Sequence, residues 1–149
     1  VLSFGATKNG ALTAEAVVFF DLDRVADFEF RRKRAAHLLS KMRFVSAQLL
    51  AYIEGGLWLR LAGRANALAQ RLAAAAGPLL MHPVQANELF LRIGDGGAAA
   101  LRALGFEFYD WGASGSGEAR LVVSWNQPEE DVDALCVALA RLASGASLR

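Results

Sequence analysis

Ser3-Phe4-Gly5-Ala6-Thr7-Lys8-Asn9-Gly10, followed by Glu15-Ala16-Val17-Val18-Phe19-Phe20, is the stretch on which the reading of the fold turns. Val1 to Phe4 is a short apolar run, and Ala16 to Phe20 is another; a turn separates them. The second run is continuously apolar, as expected of a strand covered on both faces. Asn9-Gly10 marks the turn, since both residues accept positive φ. Two strands joined by a turn cannot bury their own faces, so the first twenty residues are not expected to form a compact unit. The chain opens on Val1 without an initiator methionine, like a strand already under way, and a preceding front half is therefore expected.

Working outward, Asp21 or Asp23 is placed to cap a helix running through Arg31-Arg32-Lys33-Arg34. Leu38, Leu39, Met42, Val45, Leu49 and Ile53 then form one apolar stripe at helical spacing. Gly55-Gly56 breaks that helix. Leu57, Leu61, Ala65, Leu68 and Leu72 repeat the pattern up to Gly77-Pro78. Beyond this point strands and helices alternate. Leu79 to His82 and Glu88 to Ile93 read as strands separated by a turn at Pro83, and Gly96 to Leu104 as a helix ended by Gly105. Phe106 to Tyr109 and Arg120 to Trp125 read as strands around the loop Gly112 to Gly117. Pro128 opens a last helix with Glu129, Glu130 and Asp131 in its first turn, where the helix dipole favours acids. That helix carries Val132, Leu135, Leu139 and Leu142 on one face. The tail, Ala143 to Arg149, is expected to fray.

Bulk properties exclude several classes. The 149 residues, 54% of them hydrophobic, suffice for a core. Sixteen basic against fifteen acidic residues give a formal charge of +1, which calls for neither nucleic acid nor a membrane surface. No apolar run reaches the roughly 20 residues of a membrane-spanning helix, and Val1 to Ala6, short and without a basic lead, is not expected to be a secretory leader. Cys136, the single cysteine, rules out an internal disulfide and fits a reducing compartment such as the cytoplasm.

Few residues invite chemistry. Lys8 is flanked by the small residues Ala6, Thr7, Asn9 and Gly10, so a flat ring could lie against the backbone beside it. A lysine that forms a Schiff base needs that room; a solvated lysine in a turn fits the local sequence equally. Arg120 reads either as a surface arginine or as a bidentate clamp for a carboxylate. His37 and His82 lack partners at ligand spacing, so no metal is expected. Cys136 reads as packing. Gly5 and Gly10 form neither a dinucleotide fingerprint nor a phosphate loop.

Taken together, Ser3 to Gly10 with Glu15 to Phe20 resembles the cofactor-lysine segment of bacterial low-specificity threonine aldolases. Arg31 to Arg34 through Ser40-Lys41-Met42-Arg43-Phe44 resembles the segment that comes after it. Phe108-Tyr109-Asp110-Trp111 and Arg120-Leu121-Val122-Val123-Ser124-Trp125 resemble the family's C-terminal domain. The resemblance implies an α/β architecture, the C-terminal part of an aspartate-aminotransferase-like fold. Residues 1–25 would end the large pyridoxal-phosphate domain, 26–77 would be linker and interface helices, and 78–149 a small α+β domain. It also implies aldol cleavage of a 3-hydroxy amino acid to glycine and an aldehyde. Lys8 would carry pyridoxal 5′-phosphate, with Thr7 and Arg43 (or Lys41 or Lys33) near the cofactor and Arg120 on the substrate carboxylate. A homo-oligomer is implied as well. The family's pyridinium-pairing acid, ring-stacking residue and phosphate loop precede the lysine, so the N-terminal half of the enzyme is the implied partner, and this chain alone would be incomplete. Another cofactor enzyme of the same fold type, or a non-catalytic helical oligomerisation module, stays open on the residues themselves.

Overall fold

The computed structural model describes residues 1–148. They form two compact units, Val1–Leu61 and Ala62–Arg149, the second described to residue 148.

In the first unit, β1 (Leu2–Gly5) and β2 (Glu15–Val18) form an antiparallel hairpin pairing Leu2 with Val18 and Gly5 with Glu15. The apolar run was expected to be covered on both faces. Within this chain it is not, and Val17, Val18 and Phe20 are exposed. Two strands supply no second layer. What the hairpin does bury lies at its loop end. Ala6 and Ala14 are fully buried with Tyr52, and Phe4, Val45, Leu49, Trp58 and Leu61 pack round them. The first twenty residues thus share a small core with residues 45–61, because alanine lets the backbone of the loop approach a helix closely.

Asp21 caps only a 3-10 turn, Leu22–Arg24, accepting from the amide of Asp23. The helix expected from that cap, α1 (Phe28–Arg34), starts later, after Asp27 at φ 62°. It also ends sharply. Ala36 takes φ 60°, its N–H donates to the Lys33 carbonyl (3.1 Å), and the His37 N–H donates to that of Arg32 (3.0 Å). This is the Schellman closure with alanine where glycine is usual. Residues 35–42 are therefore not helical, contrary to the continuous stripe expected from Leu38; Leu38 and Leu39 are exposed. α2 (Arg43–Ile53) comes next, then a 3-10 turn at Glu54–Gly56, then α3 (Leu57–Ala76), within which the boundary between the units falls.

In the second unit α3 stops at Gly77 (φ 47°) and Pro78, as expected. Leu79 to His82 is not a strand. The Leu80 amide donates to Gly77, and a single bridge to Leu91 is formed before Pro83, which has no N–H to extend a ladder. β3 (Glu88–Arg92), α4 (Gly94–Ala103), β4 (Tyr109–Trp111), β5 (Glu118–Val122) and α5 (Glu129–Ala143) complete the unit. The strands form an antiparallel sheet in the order β3-β5-β4. The strand expected over Phe106 to Tyr109 begins only at Tyr109. The Phe106 amide is spent on the Leu101 carbonyl, closing α4 at Gly105 (φ 92°), and Phe106 and Phe108 pack on the core. β5 begins two residues earlier than expected, so Arg120 is its third residue.

Alternation along β3 and β5 sends Leu89, Leu91, Ala119 and Leu121 into one core. They meet Leu68, Leu72 and Ala76 of α3, Leu101 of α4, and Val132 and Leu139 of α5. Each fully buried leucine contributes roughly 1.5–3 kcal/mol relative to exposure. Across α3 and α5, Glu129 receives Arg64 (3.0 Å) and Arg71 (3.2 Å), exposed pairs that set register more than stability. After α5 the Gly145 and Ala146 amides close the helix end, and Leu148 packs on the core. Arg149 lies outside the described residues.

Candidate active site

The turn that bears Lys8 is fastened on every side but its own. The Ala6 amide donates to the Ala14 carbonyl (2.8 Å), and the Ala6 carbonyl accepts from the amides of Asn9 (3.0 Å) and Ala11 (3.1 Å). Thr7 Oγ1 accepts from the Ala14 amide at 3.1 Å. Asn9 Nδ2 donates to the Tyr52 hydroxyl and to the Trp58 carbonyl, the latter at 3.3 Å. Gln48, one turn before Tyr52 on α2, accepts from the Leu12 amide at 2.9 Å. Phe4 meets Trp58 edge-on at 5.6 Å and Tyr52 at 6.1 Å. These bonds fix the backbone on both sides of Lys8, yet its own side chain is exposed and makes no hydrogen bond or ion pair among the described residues. A rigid loop presenting an uncommitted amine is what covalent attachment of a carbonyl compound requires. Small neighbours leave room for a planar ring, so the residues present fit the pyridoxal phosphate that the resemblance implies.

Thr7 shares this turn, and its hydroxyl can still donate after accepting from Ala14. Arg43 opens α2, the helix whose later turns hold the loop. It is exposed, its guanidinium 4.7 Å above the Phe44 ring, with no hydrogen bond among the described residues. Lys33 and Lys41 are exposed too, and Lys41 holds φ 59°.

Arg120 lies in the second unit, on the sheet face opposite the core. Its register partners are Phe90 on β3 and Tyr109 on β4. Its Nη2 donates to Glu88, diagonally across β3, and its guanidinium lies 5.9 Å from the Trp111 ring centre. Phe90 and Trp111 stack edge to face at 4.9 Å. Arg120 is therefore partly shielded, and oriented by Glu88 and Trp111.

His82 is exposed with its ring 6.0 Å from that of Phe90, and His37 is exposed beyond the end of α1. Burial pushes the Cys136 thiol up, in keeping with packing. Among the described residues no cluster of three metal-ligating side chains occurs, and no helix is long and apolar enough to cross a membrane. Sequence reasoning missed Asn9 as a bonding residue, together with Tyr52, Gln48, Glu88 and Trp111. Asn9 carried a signal only as half of a turn pair; the others depend on which elements meet.

No family model matches the chain. Over 136 residues it is 43% identical to the low specificity L-threonine aldolase of a Pseudomonas species, and equally to that of Pseudomonas aeruginosa. The match covers 89% of this chain and 39% of each relative, so the chain spans about two fifths of the length of these curated relatives. A solved structure of threonine aldolase from Leishmania major superposes with a TM-score of 0.85 at 25% identity, covering 95% of this chain and 42% of that one. In sequence, then, the chain is similar to about two fifths of the low specificity L-threonine aldolases of Pseudomonas, and in fold to a comparable share of a threonine aldolase.

Proposed function

We propose that the protein containing this chain splits threonine, or a related 3-hydroxy amino acid, into glycine and an aldehyde with the aid of pyridoxal phosphate. One observation carries the reading: in a chain 43% identical to threonine aldolases, a tightly bonded loop leaves the Lys8 amine exposed and without a hydrogen bond or ion pair among the described residues. The cofactor, when bound, supplies the electron sink that allows a Cα–Cβ bond to break. Lys8 supplies the amine that anchors it. The Thr7 hydroxyl and the Arg43 guanidinium are the polar groups offered to it. Arg120 offers a planar fork to the substrate carboxylate, and Trp111 beside it limits access of water to that fork. A segment corresponding to the rest of the relatives' length would complete the site, and we place the assembled enzyme in the cytoplasm as a homo-oligomer with shared interfaces.

The test uses the protein with that segment present. Threonine should yield acetaldehyde and glycine in equal amounts, whereas an aminotransferase would yield a keto acid. Borohydride reduction of the cofactor-loaded protein should fix the label on the peptide containing Lys8. Label on another lysine refutes the assignment. The variant Lys8→Ala should take up no reducible label and turn over threonine very slowly.

A further inference from the structure

The sheet face that carries Arg120 also carries a carboxylate, Glu88, that reaches it. β3 places Glu88, Phe90 and Arg92 on this face, and β5 places Glu118, Arg120 and Val122 there. Arg92 pairs with Glu118 directly opposite, at 3.1 Å. Glu88 has Val122 opposite it instead, and reaches diagonally to Nη2 of Arg120. On the other side of Arg120 stands the Trp111 ring, itself held by Phe90. The guanidinium is thus bounded by a carboxylate at one nitrogen and an aromatic face beside it, while Nε and Nη1 have no partner among the described residues. A free arginine side chain has many rotamers, and fixing them costs binding free energy each time a ligand arrives. Glu88 removes much of that freedom in advance.

We propose that Glu88 is a positioning residue for the amino-acid substrate: it holds Arg120 over Trp111 so that the remaining edge of the guanidinium receives the substrate carboxylate. This rests on the reading of Arg120 as the carboxylate clamp. The contribution comes from geometry rather than charge, since a second carboxylate beside the first would on Coulombic grounds only weaken anion binding. Position and charge therefore predict opposite results for the same substitutions. Glu88→Gln keeps length and an acceptor oxygen but removes the charge. Glu88→Asp keeps the charge but withdraws the oxygen by one methylene. Glu88→Ala removes both.

Glycine is titrated into the cofactor-loaded full-length protein, with binding read from the cofactor absorbance, and steady-state constants are measured with threonine. Glu88→Ala and Glu88→Asp should weaken glycine binding by about 5- to 20-fold, the loss expected when one hydrogen bond to a charged group no longer orients its partner. Glu88→Gln should stay within about 3-fold of the parent on the same reasoning. The change should appear in KM, with kcat and cofactor affinity little altered. A merely structural role would instead lower the melting temperature and the fraction of active protein. If Glu88→Ala binds glycine as tightly as the parent or more tightly, Glu88 only neutralises Arg120, and the inference is overturned. If Glu88→Ala does not fold, the other two decide: Asp parent-like, with Gln binding as tightly as the parent or more tightly, overturns it, and Asp weakened with Gln parent-like supports it. Arg120→Ala separates the two levels. Should it bind glycine like the parent, the clamp reading fails and this inference with it; should it bind poorly while the Glu88 series is flat, this inference alone fails.

Discussion

Gly117 stands where the loop before β5 touches the start of α4, and replacing it by alanine isolates a backbone contact on which the Arg120 face depends. Gly117 and Gly94 both hold left-handed φ, 65° and 67°. The Gly117 carbonyl accepts from the amides of Ile93 and Gly94, each at 2.9 Å. A Cβ on Gly117 would lie 2.4 Å from Gly94 Cα and 2.9 Å from its carbonyl carbon and amide nitrogen. Those are backbone atoms, so no rotamer change relieves the clash. Positive φ costs an alanine about 1–2 kcal/mol, and overpacking against a fixed neighbour about 1–3 kcal/mol more. Gly117→Ala should therefore destabilise by about 2–5 kcal/mol in sum. Gly115 is the control, since it holds φ 75° with nothing within 4 Å of the added carbon. Gly115→Ala should cost only the strain of about 1–2 kcal/mol. The assay is urea unfolding followed by tryptophan fluorescence, where Trp111 and Trp125 report on this unit. With a slope of about 1–3 kcal/mol per molar urea, the Gly117 variant should unfold roughly 1 M below the Gly115 variant. Coincident midpoints would show that the two glycines do not meet, and that φ alone sets the cost. Because Gly117 leads directly into Glu118 and Arg120, the proposed role of Arg120 predicts that the same variant, in the full-length protein, binds glycine more weakly.

Three further outcomes are expected. Leu139→Ala, at a fully buried position of α5, should lower the unfolding free energy by about 2–5 kcal/mol in the same assay, whereas Leu59→Ala, an exposed position of α3, should change it by less than about 0.5 kcal/mol. Tyr52→Phe removes the hydroxyl that accepts from Asn9 while the bond to the Trp58 carbonyl remains; amide hydrogen exchange across Thr7 to Ala11 should quicken by roughly 5- to 10-fold, the measure of a lost bond of about 1 kcal/mol. The Arg64 guanidinium, and then that of Arg71, hold the Glu129 carboxyl below its ordinary 4.5. A carboxyl lowered in the folded state adds stability above the ordinary value and loses it as pH falls through the lower one. Glu129→Gln should therefore flatten the fall in stability below about pH 4.5, and added salt should shrink the difference, since the pair is exposed.

Local chemistry was legible wherever one residue type decides it. Gly77-Pro78, Gly105 and Pro128 mark helix ends in the sequence and mark them in the structure, because positive φ or a missing N–H admits few alternatives. Lys8 was legible as a candidate from its small neighbours and from the likeness of its segment to the aldolases. The end of α1 was not legible. It uses Ala36 at φ 60°, a choice alanine does not announce, and the apolar residues Leu38, Leu39 and Met42 continued a helical pattern that the chain does not adopt. Leu79 to His82 likewise looked like a strand, yet strand character requires a partner with matching donors and acceptors, and Pro83 withholds one. By itself, then, the sequence determined the punctuation of the chain and most of its apolar faces, and offered Lys8 as a candidate amine. Tertiary structure alone decided what each polar side chain meets: Asn9 the hydroxyl of Tyr52, Gln48 the amide of Leu12, Arg120 the carboxylate of Glu88 and the ring of Trp111. These partners stand well apart along the chain, and the registers and closures that join them are set by the burial of the apolar faces as a whole, a property of no single window of sequence.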